Sequence, residues 1–171
     1  MIRHAEGCDW WSQDKSHIAE AVEVVRNSDI AVVAVGTRST YLGRIPKYST
    51  AGEGFDLSSL ELPGVQEELL KEIKKTGKPM IVVLIAGKPL AMPWVKENAD
   101  AVLVQWYAGE QQGCTLADIL LGKVNPSGKL NVSFPRSTGN TPCFYNHFVT
   151  DREESFDQPG TPEEPKGHYI F

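Results

Sequence analysis

The chain has 171 residues, enough for one well-packed domain and short of what usually divides into two. Apolar residues make up 41% and charged residues 23%, so the composition is that of an ordinary globular protein. A net charge of -5 argues against a nucleic-acid partner, which selects basic surfaces, and no apolar run reaches the roughly 20 residues of a membrane span.

In chain order, the N-terminus carries no basic region followed by an apolar core, so it does not read as a secretory signal. Residues 2–5 read as a short strand at the edge of a fold. Ile18, Val22 and Val25 recur at helical spacing, with Asp14 or Ser16 as the candidate cap. The run D-I-A-V-V-A-V-G over 29–36 is nearly continuous in β-branched and apolar residues, as expected of a strand covered on both faces. A long polar connection over 37–62 holds no periodic segment. Val65, Leu69, Leu70 and Ile73 then form an amphipathic stripe closed by Lys74, Lys75 and Gly77.

Residues 80–86 predict a second buried strand, 93–98 a short helix and 101–107 a third strand. Leu116, Ile119 and Leu120 mark another helix, ended by Gly122, and the alternation over 129–134 before Pro135 predicts a last strand near an edge. This order predicts an α/β three-layer sandwich, with a mostly parallel sheet of about five or six strands, an antiparallel edge and helices on both faces. The sandwich is assigned to 1–135. Residues 136–171, with Pro142, Pro159, Pro162 and Pro165 and no apolar period, are assigned to an irregular arm packed on it or leading to a further segment.

The connection over 37–62 is the anomaly, because a structureless loop of that length in a compact domain is usually functional. It emerges at the carboxyl end of a parallel strand, where ligands bind in open α/β sheets. Within it Glu53 stands between Gly52 and Gly54, with Asp56 three residues on. Small neighbours leave room for a bulky ligand to reach the acid; the plain alternative is a solvated loop carboxylate. Asp56 can position a substrate or a neighbouring loop, or serve turn and cap chemistry in D-L-S-S. Arg38, Arg44, Lys47 and Tyr48 can bind a polar ligand, dock onto a neighbouring domain or be ordinary surface residues. Trp106-Tyr107 ends a predicted strand at the same rim, where an aromatic face can stack on a ligand or pack into the core or against another domain.

Three cysteines, Cys8, Cys114 and Cys143, are too few for a disulfide framework, although one pair can bond in an oxidising compartment. His4, His17, His147 and His168 show no metal-ligand spacing, and no G-x-G-x-x-G follows a strand, so neither a metal nor a dinucleotide is expected. Asn131-Val132-Ser133 matches a glycosylation sequon, but its place in a strand pattern argues against use. A thiol hydrolase using Cys114 with His147 or His168 is a rival reading. Its geometry is poor, because six residues separate the strand end from the cysteine. A non-catalytic binding or docking module is the other rival.

Three blocks carry a more specific signal: T-A-G-E-G-F-D-L-S-S-L-E-L-P-G-V-Q, then P-M-I-V-V-L-I-A-G-K-P-L, then Q-W-Y-A-G-E-Q-Q-G-C-T-L-A-D-I-L-L-G-K-V-N-P-S-G-K-L-N-V-S-F-P. In this order they resemble the second domain of glycoside hydrolase family 3, mainly β-glucosidases and β-xylosidases, in register over about 18–135. The resemblance implies a retaining β-glycosidase in which a (β/α)8-type barrel supplies an aspartate nucleophile and this domain supplies the acid/base glutamate, here Glu53. It implies a β-linked glycoside as substrate, whose hydroxyls Arg38, Arg44, Lys47 and Tyr48 can bind and on whose rings Trp106-Tyr107 can stack, no cofactor, and a periplasmic or secreted whole enzyme. Under it the binding-module rival becomes a non-catalytic sugar-binding domain. Two departures stand out: Asp56 is followed by Leu57 where the family often has arginine, and Gln112-Gly113 replaces a common Gly-Gly. Nothing in the chain resembles the barrel, so the expectation is a part of a larger enzyme that hydrolyses nothing alone.

Overall fold

The computed structural model describes residues 1–40, 50–52 and 56–141. Its elements in chain order are α1 (Ile18–Arg26), β1 (Ala31–Gly36), β2 (Ser39–Thr40), β3 (Ala51–Gly52), α2 (Gln66–Lys74), β4 (Met80–Ile85), α3 (Pro93–Asn98), β5 (Ala101–Val104) and α4 (Gln112–Leu120). A single 3-10 turn, Thr138–Asn140, follows.

The main sheet is parallel in the order β1-β4-β5, with Ala31 opposite Met80 and Ile81 opposite Ala101. β4 is central, and its Met80, Val82, Val83 and Leu84 have no solvent exposure. Alternation along β1 puts Ala31, Val33 and Val35 against α1 and α2, where they meet Ile18, Ala21, Val25, Leu69, Leu70 and Ile73 in one core cluster. Burying each of these valine, leucine and isoleucine side chains contributes about 1.5–3 kcal/mol. A parallel sheet with helices packed on it is the α/β fold that the alternation predicts.

Several expectations need correction. Among the described residues the main sheet has three strands, not five or six, and both of its pairings are parallel, with no antiparallel edge. Residues 2–5 form no strand. Residues 129–134 form none either: Leu130 and Val132 stay exposed, and burial begins only at Phe134. The connection over 37–62 does hold structure, since β2 and β3 pair in a separate two-residue parallel ladder. Asp14 does not cap α1; its carboxylate accepts from the Ser16 N–H at 2.9 Å, before the helix starts at Ile18.

Candidate functional site

The carboxyl end of β1 is tied down by side chains that lie far away in sequence. Gly36, at φ +143°, approaches β4 so closely that a Cβ there would sit 1.9 Å from the Ile85 carbonyl oxygen. Its N–H donates to Gln66 Oε1 at 2.6 Å and its carbonyl accepts from Gln66 Nε2 at 2.8 Å. The same Nε2 reaches the Trp10 carbonyl at 2.9 Å and the Pro63 carbonyl at 3.1 Å, so this buried amide is saturated. One residue on, the Tyr107 hydroxyl lies 2.8 Å from Thr37 Oγ1 and donates to the Thr37 carbonyl at 3.1 Å. Gly87 makes room for that ring, since a Cβ there would come within 2.8 Å of it.

Arg38 divides its roles between backbone and side chain. Its N–H donates to Thr50 Oγ1 at 2.8 Å, and its carbonyl accepts from the Thr50 N–H at 3.3 Å. Its guanidinium lies over the Trp10 ring, 4.5 Å from the centroid. The backbone bonds start the β2–β3 ladder, in which Thr40 stands opposite Gly52. Glu53 and Tyr48 lie outside the described residues.

Asp56 is the downstream foot of the same loop. Its Oδ1 accepts from Lys88 Nζ and, at 2.7 Å, from the Leu57 N–H. The Lys88 hydrogen bond first and the Leu57 N–H second hold this carboxyl below the ordinary aspartate range, so it stays ionised at neutral pH. Lys88 lies just beyond the end of β4, and the Leu60 carbonyl accepts from the Ala91 N–H at 2.7 Å, so this foot rests near the carboxyl end of the central strand. The described residues that flank 53–55 are thus Gly52, in the β2–β3 ladder, and Asp56, anchored beyond β4.

Trp106 goes elsewhere. It adopts φ +53°, a left-handed conformation unusual for a bulky residue. It packs beside the core against the buried ring of Phe134, at 6.1 Å and 42°. Tyr107, next in sequence, turns to the rim instead. A cavity of about 480 Å³ opens at the rim between Arg38, Tyr107, Gln66, Trp10 and Cys8, and neither Asp56 nor Trp106 lines it.

Gln66, Lys88 and Tyr107 carry most of these contacts; sequence reading gave Gln66 and Lys88 no role of their own and read Tyr107 only with Trp106, as a strand-end aromatic at the rim. One signal was present: Gln66 shares the helical stripe of Leu69, Leu70 and Ile73, and an amide on a buried face needs partners. Cys8 and Cys114 form no disulfide. Burial, with Asp9 and then Glu6 adding to it, pushes the Cys8 thiol up to about 11, away from the reactive thiolate. Cys114 is exposed in the first turn of α4, and the histidines named as its base lie outside the described residues. No group of three metal-binding side chains forms among the described residues.

Comparison with known proteins agrees with this architecture. The family model described as glycosyl hydrolase family 3 C-terminal domain matches residues 3–170. A β-xylosidase of Formosa agariphila is 44% identical over 144 residues, which is 84% of this chain and 19% of that protein. A periplasmic β-glucosidase of Salmonella typhimurium is 38% identical over 148 residues, 86% of this chain and 17% of that protein. The crystal structure of a β-glucosidase from Listeria innocua in complex with glucose superposes with a TM-score of 0.76 at 31% identity, covering 95% of this chain and 22% of the other. The chain thus spans about a fifth of the length of these relatives, and it belongs to the glycosyl hydrolase family 3 C-terminal domain family.

Proposed function

We propose that this chain is the α/β domain of a larger retaining β-glycosidase, acting on β-linked glucosides or xylosides, and that it supplies Glu53 as the acid/base. The observation that carries the reading is the pair of fixed feet on either side of Glu53, in a chain whose relatives are named β-xylosidase and β-glucosidase. Anchored flanks at Gly52 and Asp56 suit an acid that must meet a substrate bound on another domain.

In the proposed reaction an aspartate of a (β/α)8-type barrel in the same protein attacks the anomeric carbon. Glu53, protonated, gives its proton to the departing glycosidic oxygen, and then takes one from the water that releases the sugar. Such an acid needs a raised pKa, from burial or from the second carboxylate about 5–5.5 Å away, and both arise only when the domains meet. Asp56 is unsuited to this role, because Lys88 holds it as an anion. It acts as a positioning residue for the loop. The backbone bonds of Arg38 to Thr50 suit the same task, while Tyr48 and Trp106 remain proposals for sugar contact or loop support.

In this reading residues 1–135 are the sandwich and 136–171 the arm. The arm's first turn is docked through Thr138 Oγ1, which accepts from the Leu60 N–H at 2.9 Å. A periplasmic or secreted location is proposed with the whole enzyme, by analogy with the periplasmic relative.

The test uses an aryl β-glycoside, this chain alone and a longer protein containing the barrel. The chain alone should give no turnover. Glu53→Gln in the longer protein should lower kcat by about 10²–10⁴-fold while sugar binding persists. Turnover by the chain alone, or an unchanged kcat in the variant, would overturn the assignment; the second outcome would favour a docking module.

A further inference from the structure

Among the described residues β1 and β5 are the outer strands of the main sheet, and Tyr107 joins their ends across β4. Two strand spacings, about 10 Å, separate those ends. Tyr107 lies just beyond β5, and its hydroxyl meets Thr37, the residue after β1. On the way its ring passes Gly87, just beyond β4, where a Cβ would come within 2.8 Å of it. Trp106 directs the crossing. Gln105 still belongs to the sheet, donating its N–H to the Leu84 carbonyl at 2.9 Å, and the left-handed φ of +53° at Trp106 then turns the chain. One ring goes to Phe134 and the next to the rim. A bulky residue holds that backbone conformation only where its surroundings over-determine it, and such outliers gather at functional sites.

What Tyr107 holds is the start of the Glu53 loop. Its O–H donates to the Thr37 carbonyl at 3.1 Å, and with that proton spent, the Thr37 hydroxyl, 2.8 Å away, is the donor to the Tyr107 oxygen. Thr37 is 6% exposed, and its N–H donates to the Ile85 carbonyl at 2.9 Å, so it is fixed on β4 from one side and by Tyr107 from the other. Beyond it Arg38 bonds to Thr50, Ser39 stands opposite Ala51 and Thr40 opposite Gly52. Gly52 is the residue before Glu53. This two-strand ladder is separate from the main sheet, so its place is set by where Thr37 delivers the chain.

We propose that Tyr107 is a positioning residue for the acid/base: its hydroxyl clamps Thr37 and thereby sets the ladder from which Glu53 departs. The inference rests on the reading of Glu53 as the acid/base. Tyr107 acts on proton delivery and not on holding the sugar. In the first step the glycosidic C–O bond breaks and its electron pair stays on the leaving oxygen. The Glu53 proton joins that oxygen as the barrel aspartate bonds to the anomeric carbon. A misplacement of about 1 Å costs such a step on the order of 10²-fold. The loss is graded by the leaving group: one that is stable as an anion departs without the proton, and a basic one needs it in full.

Phenyl β-glycosides whose phenols differ in acidity, from dinitrophenol to phenol itself, test it in the longer, barrel-containing protein. The readout is kcat/KM, which reports the step in which the phenol leaves. Tyr107→Phe keeps the ring and removes the clamp. It should leave the dinitrophenyl substrate within about twofold and slow the phenyl substrate about tenfold or more. Equal losses across the series, the mark of damaged folding or sugar binding, would overturn the proposal, as would no loss at all. Gly87→Ala keeps the hydroxyl but pushes the ring aside. It should tilt the series in the same sense, and the two changes together should tilt it no further than Tyr107→Phe alone. An untilted series for Gly87→Ala would overturn the clamp, as would tilts that add.

Glu53→Gln, measured alongside, separates the clamp from the acid it serves. That variant should tilt the series steeply, and adding Tyr107→Phe to it should tilt it no further, because the clamp works through Glu53. A steep series for Glu53→Gln with a level one for Tyr107→Phe would sink the clamp and leave the acid standing. A level series for Glu53→Gln would sink both. A further tilt in the double variant would show Tyr107 acting elsewhere than through Glu53, and would overturn the proposal while sparing the acid.

Discussion

Helices α2 and α4 are each nine residues long, yet they have opposite fates. α2, Q-E-E-L-L-K-E-I-K, carries five charged residues and still buries Gln66, Leu69, Leu70 and Ile73. α4, Q-G-C-T-L-A-D-I-L, carries one charged residue and buries none. Composition alone would rank them the other way. α2 lies where α1, β1 and α3 converge on it, whereas α4 follows β5, the last strand of the main sheet. Burial is settled by what the rest of the chain brings to a helix, and propensity or apolar content only makes burial possible.

The largest effect that would sharpen this contrast comes from Leu70, which has no solvent exposure and sits in the core cluster. Leu70→Ala should destabilise the chain by about 2–5 kcal/mol, read as a lowered urea midpoint at unchanged slope. A loss below about 1 kcal/mol would mean that the α2 side is no better packed than the α4 side. Next comes Gln66→Leu, which keeps the volume but orphans the Gly36 N–H and three carbonyls. The expected cost is about 1–3 kcal/mol, together with faster exchange of the Gly36 amide. A neutral substitution would show that water replaces the amide and that the rim is held by other contacts.

The same contrast explains what was legible in the sequence. The helices α1 to α4 and the strands β1, β4 and β5 were readable because period and punctuation are local. Gly77 and Gly122 both adopt left-handed φ where the sequence ends a helix. The β-branched run of β1 correctly signals a strand, but its demand for cover on both faces is met on one. Ala31, Val33 and Val35 are buried, while Val32 and Ala34 are exposed. That cover depends on groups that are not neighbours in sequence. The fixed feet of the loop are of the same kind: Gln66 is 30 residues from Gly36, and Lys88 is 32 from Asp56. No local pattern announces such a pairing. Glu53 stood out through its two glycines, a local feature, whereas Asp56 could be assigned a partner only in three dimensions.

The loop foot at Asp56 should contribute less than either core change, because the pair with Lys88 is largely exposed on the carboxylate side. Asp56→Asn should cost about 0.2–1 kcal/mol at neutral pH and less at high salt. The sign of its pH dependence follows from the direction of the shift. A carboxyl more acidic when folded than when unfolded stabilises the fold above the unfolded value, about 3.9 for aspartate. That contribution fades as pH falls through the lower folded value. The stability difference between the chain and Asp56→Asn should therefore be flat from pH 7 to about 5 and close at lower pH. A gap that widened on acidification would mean that Lys88 is not what holds the carboxylate.

The smallest effect belongs to the α4 side and bears hardest on the comparison. Leu121, at the C-terminal end of α4, is 70% exposed, and Val124 beyond it is 51% exposed. Truncating a side chain that has so little packed against it removes few contacts and opens no cavity. Leu121→Ala in this chain should therefore shift stability by less than about 0.5 kcal/mol. The same change would cost several times more if another part of the fold lay over α4. A urea midpoint that dropped for Leu121→Ala as far as for Leu70→Ala would show that α4 is covered in solution, and the contrast with α2 would then be one of sequence order and not of packing.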